Sequence, residues 1–288
     1  MKSKIIIEKR IEAATILLMF LMILKILCLG TAYASDEERQ GINIAVIDSG
    51  LMESHPAIDY SRILEGKSYV ENVDSWADKI GHGTAVTGII MKHTKDALIR
   101  PLMYYTKYPS GVPRNGGISG ICDGIYDAID EYGCKVICIS SGIYCKDDML
   151  KEAVEYAESK GVIIISAVGN DNIIDSSRIY YPAAYPTVIG IGAIDENENI
   201  ADFSQRNDSV MAVMQGVYIE VPCIRNGTPF KIVSGTSYAA AAFCGVVAEM
   251  IKERPDITPE ELRELVRLSC SDLGEEGYDI DYGYGTIR

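Results

Sequence analysis

The sequence predicts an α/β fold in one domain, a doubly wound and mostly parallel sheet with helices on both faces. Two observations carry this. From Ile42 onward, short apolar runs alternate with segments of helical spacing, the pattern of a parallel sheet joined by crossover helices. The runs themselves are continuous rather than alternating, as in strands covered on both faces. They are Asn43–Ile47, Leu98–Tyr104, Val136–Ser140, Val162–Ala167 and Val188–Ala193.

The helices between them are legible from spacing and caps. His82 stands at the apparent start of one helix, Gly83 to about Met91. Ile121, Ile125, Ala128 and Ile129 recur at helical spacing and are closed by Gly133. Leu150, Ala153, Val154 and Ala157 do the same, with Gly161 as C-cap. Thr236 to Lys252 is a small-residue helix with Ala239–Ala242 at its core, which reads as deeply buried. Thr258-Pro259-Glu260-Glu261 is a capping box with proline at the first helical position, opening the last helix. The Gly/Pro-rich stretch Tyr108–Gly120 reads as a surface loop.

Before this domain, residues 1–34 read as an export signal. Lys2, Lys4, Lys9 and Arg10 form a basic head, Ala13 to Leu24 an apolar middle, and Ala32-Tyr33-Ala34 a small-residue cleavage site before Ser35. The rival is an uncleaved anchor over residues 13–34, nearly long enough to span a bilayer. The protein is therefore expected outside the cytoplasm, secreted or at the cell surface, with membrane attachment as the alternative. Residues 35–40 form a short linker, residues 41–288 the domain, and no folding prodomain is expected between them.

The full chain of 288 residues carries 27 Lys+Arg against 41 Asp+Glu, a net charge of −14. Removing residues 1–34 takes away five basic and two acidic residues and leaves −17. Such acidity disfavours nucleic acid or anionic membrane as partners. Seven cysteines remain after processing, an odd number for a disulfide framework, and no Cys/His spacing suggests zinc, so buried free thiols are expected.

Four short motifs carry chemistry. Asp48 ends the first apolar strand, where ligands gather in a doubly wound sheet; alone it reads rather as a turn aspartate. His82, between Gly81 and Gly83, has a permissive backbone around the commonest acid–base side chain. His55 and His93 read as structural or solvated. Ser237, at the first turn of the buried helix, gains from the positive end of the helix dipole, though such a serine is equally an N-cap. Asn170, after Gly169, offers a side-chain amide that could join the Ser237 N–H as an oxyanion donor. Asp, His and Ser in that chain order are the parts of an acyl-transfer triad.

With these motifs in place the chain resembles the subtilisin-like serine peptidases (subtilases) over about Ile42 to Ile287. IAVIDSG, GHGTAVTG and VSGTSYAAAAFCG match in order, as do ISSG at 139–142, SAVGNDN at 166–172 and YPAAYPTVIGIGAID at 181–195. The resemblance implies a subtilisin-like fold, Asp48 as orienting carboxylate, His82 as general base and acid, Ser237 as nucleophile and Asn170 as oxyanion donor. It also implies that Ser140-Ser141-Gly142 and Ala167-Val168-Gly169 pair with extended substrate and wall the first specificity pocket, with Ala183 at its floor. An uncharged floor mildly favours apolar or large side chains before the cut. The expected function is that of an exported, monomeric serine endopeptidase acting on polypeptide. A dedicated maturation protease for one precursor and a catalytically impaired binding protein are the alternatives.

There are departures from the family pattern. Tyr238 and Ala241 replace the usual methionine and proline after the nucleophile, and Ala85 stands where a second histidine is common. Met91–Leu98 is short where many members carry a calcium loop, so the sequence does not support that calcium site, which is kept only as an alternative, and no cofactor is expected.

Overall fold

A computed structural model describes residues 40–287, apart from 109 and 226. The export signal expected over residues 1–34 lies outside the described residues. The framework is a seven-stranded sheet in which every pairing is parallel, in the order β2-β3-β1-β6-β7-β8-β9. Its strands are β1 (Ile42–Asp48), β2 (Lys67–Ser68), β3 (Ala97–Met103), β6 (Val136–Ile139), β7 (Ile163–Ala167), β8 (Ile189–Ile194) and β9 (Ala212–Gln215). The five expected strands are present, with no end shifted by more than one residue; β2 and β9 are additional.

Five helices cover the sheet: α1 (His82–His93), α2 (Gly117–Asp130), α3 (Asp148–Ser159), α4 (Thr236–Glu253) and α5 (Pro259–Ser269). One core lies between the sheet and the pair α1 and α4, where Val46, Ile99, Cys138 and Ile191 meet Val86, Ile90, Ala240 and Phe243. The opposite face packs Ile47, Ile137 and Ile164 against Ile125 of α2 and Leu150 and Val154 of α3. Both faces are thus buried, which is why β3, β6, β7 and β8 are buried at every position and read as mostly apolar runs, Arg100 and Ser166 apart. The capping box of α5 forms as expected, Thr258 accepting from Glu261 N while the Glu261 carboxylate accepts from Thr258 N.

Two antiparallel hairpins stand apart from the sheet. β10 (Ile219–Arg225) pairs with β11 (Thr228–Val233), and β4 (Tyr105–Lys107) pairs with β5 (Pro113–Asn115). The second corrects the expected loop over Tyr108–Gly120. Tyr105 pairs with Asn115 and Lys107 with Pro113, and α2 starts at Gly117 inside that stretch. Pro113 is compatible with the edge of a two-stranded ribbon, where its missing N–H is not required by the ladder.

Candidate active site

The carboxyl ends of β1, β6 and β7 and the first turns of α1 and α4 converge on one site. Asp48 is the last residue of β1 and is fully buried. His82 is the first residue of α1, set by Gly81 as N-cap at φ 95°, a conformation that favours glycine. The His82 Nδ1–H donates to both Oδ1 and Oδ2 of Asp48 at 2.9 Å. That contact leaves Nε2 as the unprotonated nitrogen, the form a general base needs.

Asp48 is held from two other directions. The Ser49 N–H donates to Oδ1 at 2.7 Å, and the Tyr105 hydroxyl donates to Oδ1 at 3.1 Å. Behind the histidine, the buried Asp78 carboxylate accepts from the Ile80, Gly81 and Thr84 amides and from the Ser49 and Thr84 hydroxyls. Ser49 Oγ in turn accepts from Gly83 N at 2.9 Å. The turn before α1 is therefore bonded to the end of β1, and His82 is fixed relative to Asp48. Close approach adds to this: a Cβ on Gly83 would stand 2.3 Å from the Gly50 carbonyl oxygen. For the His82 imidazole, burial pushes the pKa down, but the Asp48 charge and hydrogen bond, with the Asp78 charge, outweigh it and raise it above 6.5.

Ser237 is the second residue of α4. The helix is capped by Gly235 with no side-chain hydrogen bond, so the N-cap role weighed for Ser237 does not occur. At this position its N–H has no intrahelical acceptor. The Ser237 hydroxyl donates to the Ser140 carbonyl at 2.9 Å, and the Ser140 hydroxyl donates to the Ser237 carbonyl at 3.1 Å. The first turn of α4 is thus docked on the segment leaving β6. Tyr238 packs its ring 5.7 Å from that of His82, which brings α4 against the imidazole.

Asn170 follows the end of β7. Its Oδ1 accepts from Thr236 N at 2.8 Å and Thr236 Oγ1 at 3.0 Å. The oxygen being occupied by donors, the amide nitrogen is the end presented outward, beside the start of α4. Ser140–Gly142 and Ala167–Gly169 leave the adjacent parallel strands β6 and β7, paired Ile139 to Ser166. Ala183 is buried and packs in a cluster with Val168 and Val210.

His55 is buried and structural: Ala57 N–H donates to its Nδ1, and its Nε2 donates to the Pro229 carbonyl at 2.5 Å. His93 ends α1 and is exposed. All seven described cysteines are free thiols; five are buried, Cys138 and Cys244 among them, while Cys270 is half-buried and Cys145 is exposed. Cys145 lies in the loop between β6 and α3, beyond the apolar strand that buries Cys138. Among the described residues no cluster of three or more His, Cys, Asp or Glu converges as a metal site, and no helix is long and apolar enough to cross a membrane.

Sequence reasoning missed Tyr105 and Asp78. Neither carries a motif signal, since each reaches the site only through the folding of a loop or hairpin.

This fold and this constellation define a subtilisin-like serine peptidase domain. The sequence profile of the subtilase family (peptidase S8) matches residues 39–285, and the chain belongs to that family. A thermophilic serine proteinase of Bacillus sp. (strain AK1) is 33% identical over 88% of this chain and 63% of its own length. The crystal structure of fervidolysin from Fervidobacterium pennivorans, a keratinolytic enzyme related to subtilisin, has a TM-score of 0.76 at 28% identity, covering 86% of this chain and 42% of that one. A lanthipeptide protease structure shares the fold with a TM-score of 0.75 at 24% identity, over 88% of this chain and 87% of the other. The chain thus spans less than two thirds of the first two proteins.

Proposed function

We propose that the protein is a serine endopeptidase that hydrolyses polypeptide through an acyl-enzyme on Ser237. The observation that carries this is the His82 Nδ1–H shared by both Asp48 oxygens at 2.9 Å, at the same end of the sheet as a serine in the first turn of a buried helix. In this reading Ser237 exchanges its bond to the Ser140 carbonyl for one to His82 Nε2, a rotation between staggered wells. Its oxygen attacks the substrate carbonyl as the proton passes to His82, and the imidazolium formed is stabilised by Asp48. The carbonyl oxygen, now negative, is received by the Asn170 amide and the Ser237 N–H. Collapse breaks the C–N bond, His82 protonates the departing amine, and water then repeats the sequence in reverse to release the acid.

The backbone of Ser140–Gly142 and Ala167–Gly169 would hold extended substrate by main-chain pairing. The reading asks for no cofactor, calcium included, and takes the enzyme as a monomer. Residues 1–34 would direct export by their basic head, apolar middle and small-residue cleavage site, with an uncleaved anchor as the other outcome. The acidic surface leaves nucleic acid without an electrostatic role.

Hydrolysis of unfolded casein by purified protein, compared with Ser237→Ala, tests the activity. Turnover lost in the variant is expected. Equal turnover in both, or none by folded wild type, would overturn the reading.

A further inference from the structure

The two segments beside the nucleophile enclose a gap whose contents bear on specificity. Ser140–Gly142 starts at the Ser140 carbonyl that holds the Ser237 hydroxyl. Ala167–Gly169 leads directly into Asn170, whose oxygen is fixed by Thr236. A substrate carbonyl attacked by Ser237 and received by Asn170 must direct the side chain on its own α-carbon between these segments.

That gap holds a tyrosine. A Cβ on Gly142 would stand 3.1 Å from Tyr180 Cε1, and a Cβ on Gly169 would stand 3.2 Å from Tyr180 Cβ and Cγ. The ring therefore runs from one wall to the other, in contact with the terminal glycine of each. Its backbone is tied on the far side, where Tyr181 exchanges two hydrogen bonds with Ile143 at 2.8 and 2.9 Å, and Ala184 N–H donates to the Tyr180 carbonyl at 3.0 Å. Its outer flank is packed as well. The Tyr144 ring lies 4.8 Å away, and the Arg178 guanidinium covers Tyr144 at 4.9 Å while pairing with Asp171 at 2.5 Å. Asp171 adjoins Asn170, so this stack runs from the oxyanion donor around the pocket mouth. Tyr180 is half-buried, and burial pushes its hydroxyl up to about 12.

We infer that Tyr180 fills the pocket for the residue preceding the scissile bond, so that the enzyme takes glycine, alanine or serine there and excludes large apolar side chains. This rests on the peptidase reading above and replaces the expectation drawn from Ala183. A large side chain could enter only by displacing a ring held by its neighbours, and overpacking of that kind is costly. Even one methylene in such a pocket alters selectivity by about 10-fold or more.

The test compares rates of active-site labelling by diphenyl phosphonates of alanine and of phenylalanine, each on the same short peptide. Wild type is expected to favour the alanine compound by at least about tenfold. Tyr180→Ala should bring the ratio to unity or below, while Tyr180→Phe, which keeps the ring, should retain the wild-type ratio. Tyr180→Val serves in the same way if the alanine variant does not fold. A wild-type ratio near one, or a ratio that neither small substitution moves, would overturn the inference. A small fluorophosphonate that needs no pocket separates the two levels. If it labels wild type, the peptidase reading stands whatever the ratios; if it fails to label folded wild type, both readings fall.

Discussion

The Tyr105 hydroxyl donates to Asp48 Oδ1 at 3.1 Å, across 57 residues of sequence and from a hairpin outside the main sheet. It is one of three donors on that carboxylate, with Ser49 N and His82 Nδ1. Tyr105 touches neither substrate nor nucleophile in the proposed mechanism, so its role is positioning. It fixes the carboxylate and spreads its charge.

Replacing Tyr105 by phenylalanine keeps the ring and removes the donor. A net hydrogen bond to a charged group contributes about 1.5–3 kcal/mol, and part of that acts on catalysis. We expect kcat to fall by about three- to tenfold, on the order of 1 kcal/mol, with KM unchanged. The less stabilised carboxylate would favour the imidazolium, so the acidic limb of the kcat/KM profile should move to higher pH. A fall in protein stability with an unmoved pH profile would make Tyr105 merely structural.

The pH dependence has a definite sign. His82 must be neutral to accept the Ser237 proton, and its pKa is raised above 6.5 by the Asp48 charge and hydrogen bond and the Asp78 charge, against burial. Activity is therefore expected to be lost as pH falls through a value above 6.5. Lys231, on β11, opposes the rise. Lys231→Met should move the limb further up, and an unchanged or downward shift in kcat/KM against pH would contradict the electrostatics.

Asn170→Ala removes the outward amide. Turnover should drop about 10²- to 10³-fold, a magnitude taken from subtilisin itself rather than obtained from this geometry. KM should change little, because the oxyanion exists only after attack. Equal loss in kcat and in affinity, measured by steady-state kinetics, would remove Asn170 from that role.

Gly83→Ala tests the mounting of the histidine. The new Cβ would meet the Gly50 oxygen at 2.3 Å and Asp48 Oδ1 at 3.2 Å. Separation of α1 from β1 should cost about 1–3 kcal/mol of stability and most of the activity. A variant with wild-type melting and turnover would show that this contact is not needed.

Thiol reactivity follows burial. Cys145 is exposed, whereas burial pushes Cys122 and Cys134 up to about 12 and Cys270 up to about 11. Titration of native protein lacking residues 1–34, and so Cys28, with an aromatic disulfide reagent should show one fast thiol, absent in Cys145→Ser, and slow reaction of the other six until unfolding. Several fast thiols would contradict the packing.

The sheet was legible in sequence because double coverage makes β1, β3, β6, β7 and β8 mostly apolar, with only Asn43, Asp48, Arg100 and Ser166 as polar members. β9 is four residues long, and its last, Gln215, is exposed, which leaves too short a run to detect. The β4–β5 hairpin was hidden by its glycine and proline content, which also suits a loop. Asp48, His82 and Ser237 were found through motifs that place each at a terminus of an element, and Asn170 through one that follows the end of β7. Tyr105 and Tyr180 were not, since their partners are set by tertiary packing, Asp48 for one and Gly142 and Gly169 for the other.

The most direct test of the account is to map the adduct of a small fluorophosphonate on the folded protein by peptide mass spectrometry. A single adduct on Ser237, absent in Ser237→Ala and much slower in His82→Ala, is the expected result. Folded wild-type protein that takes no label, or takes it on another serine, would contradict the assignment of Ser237 as the nucleophile.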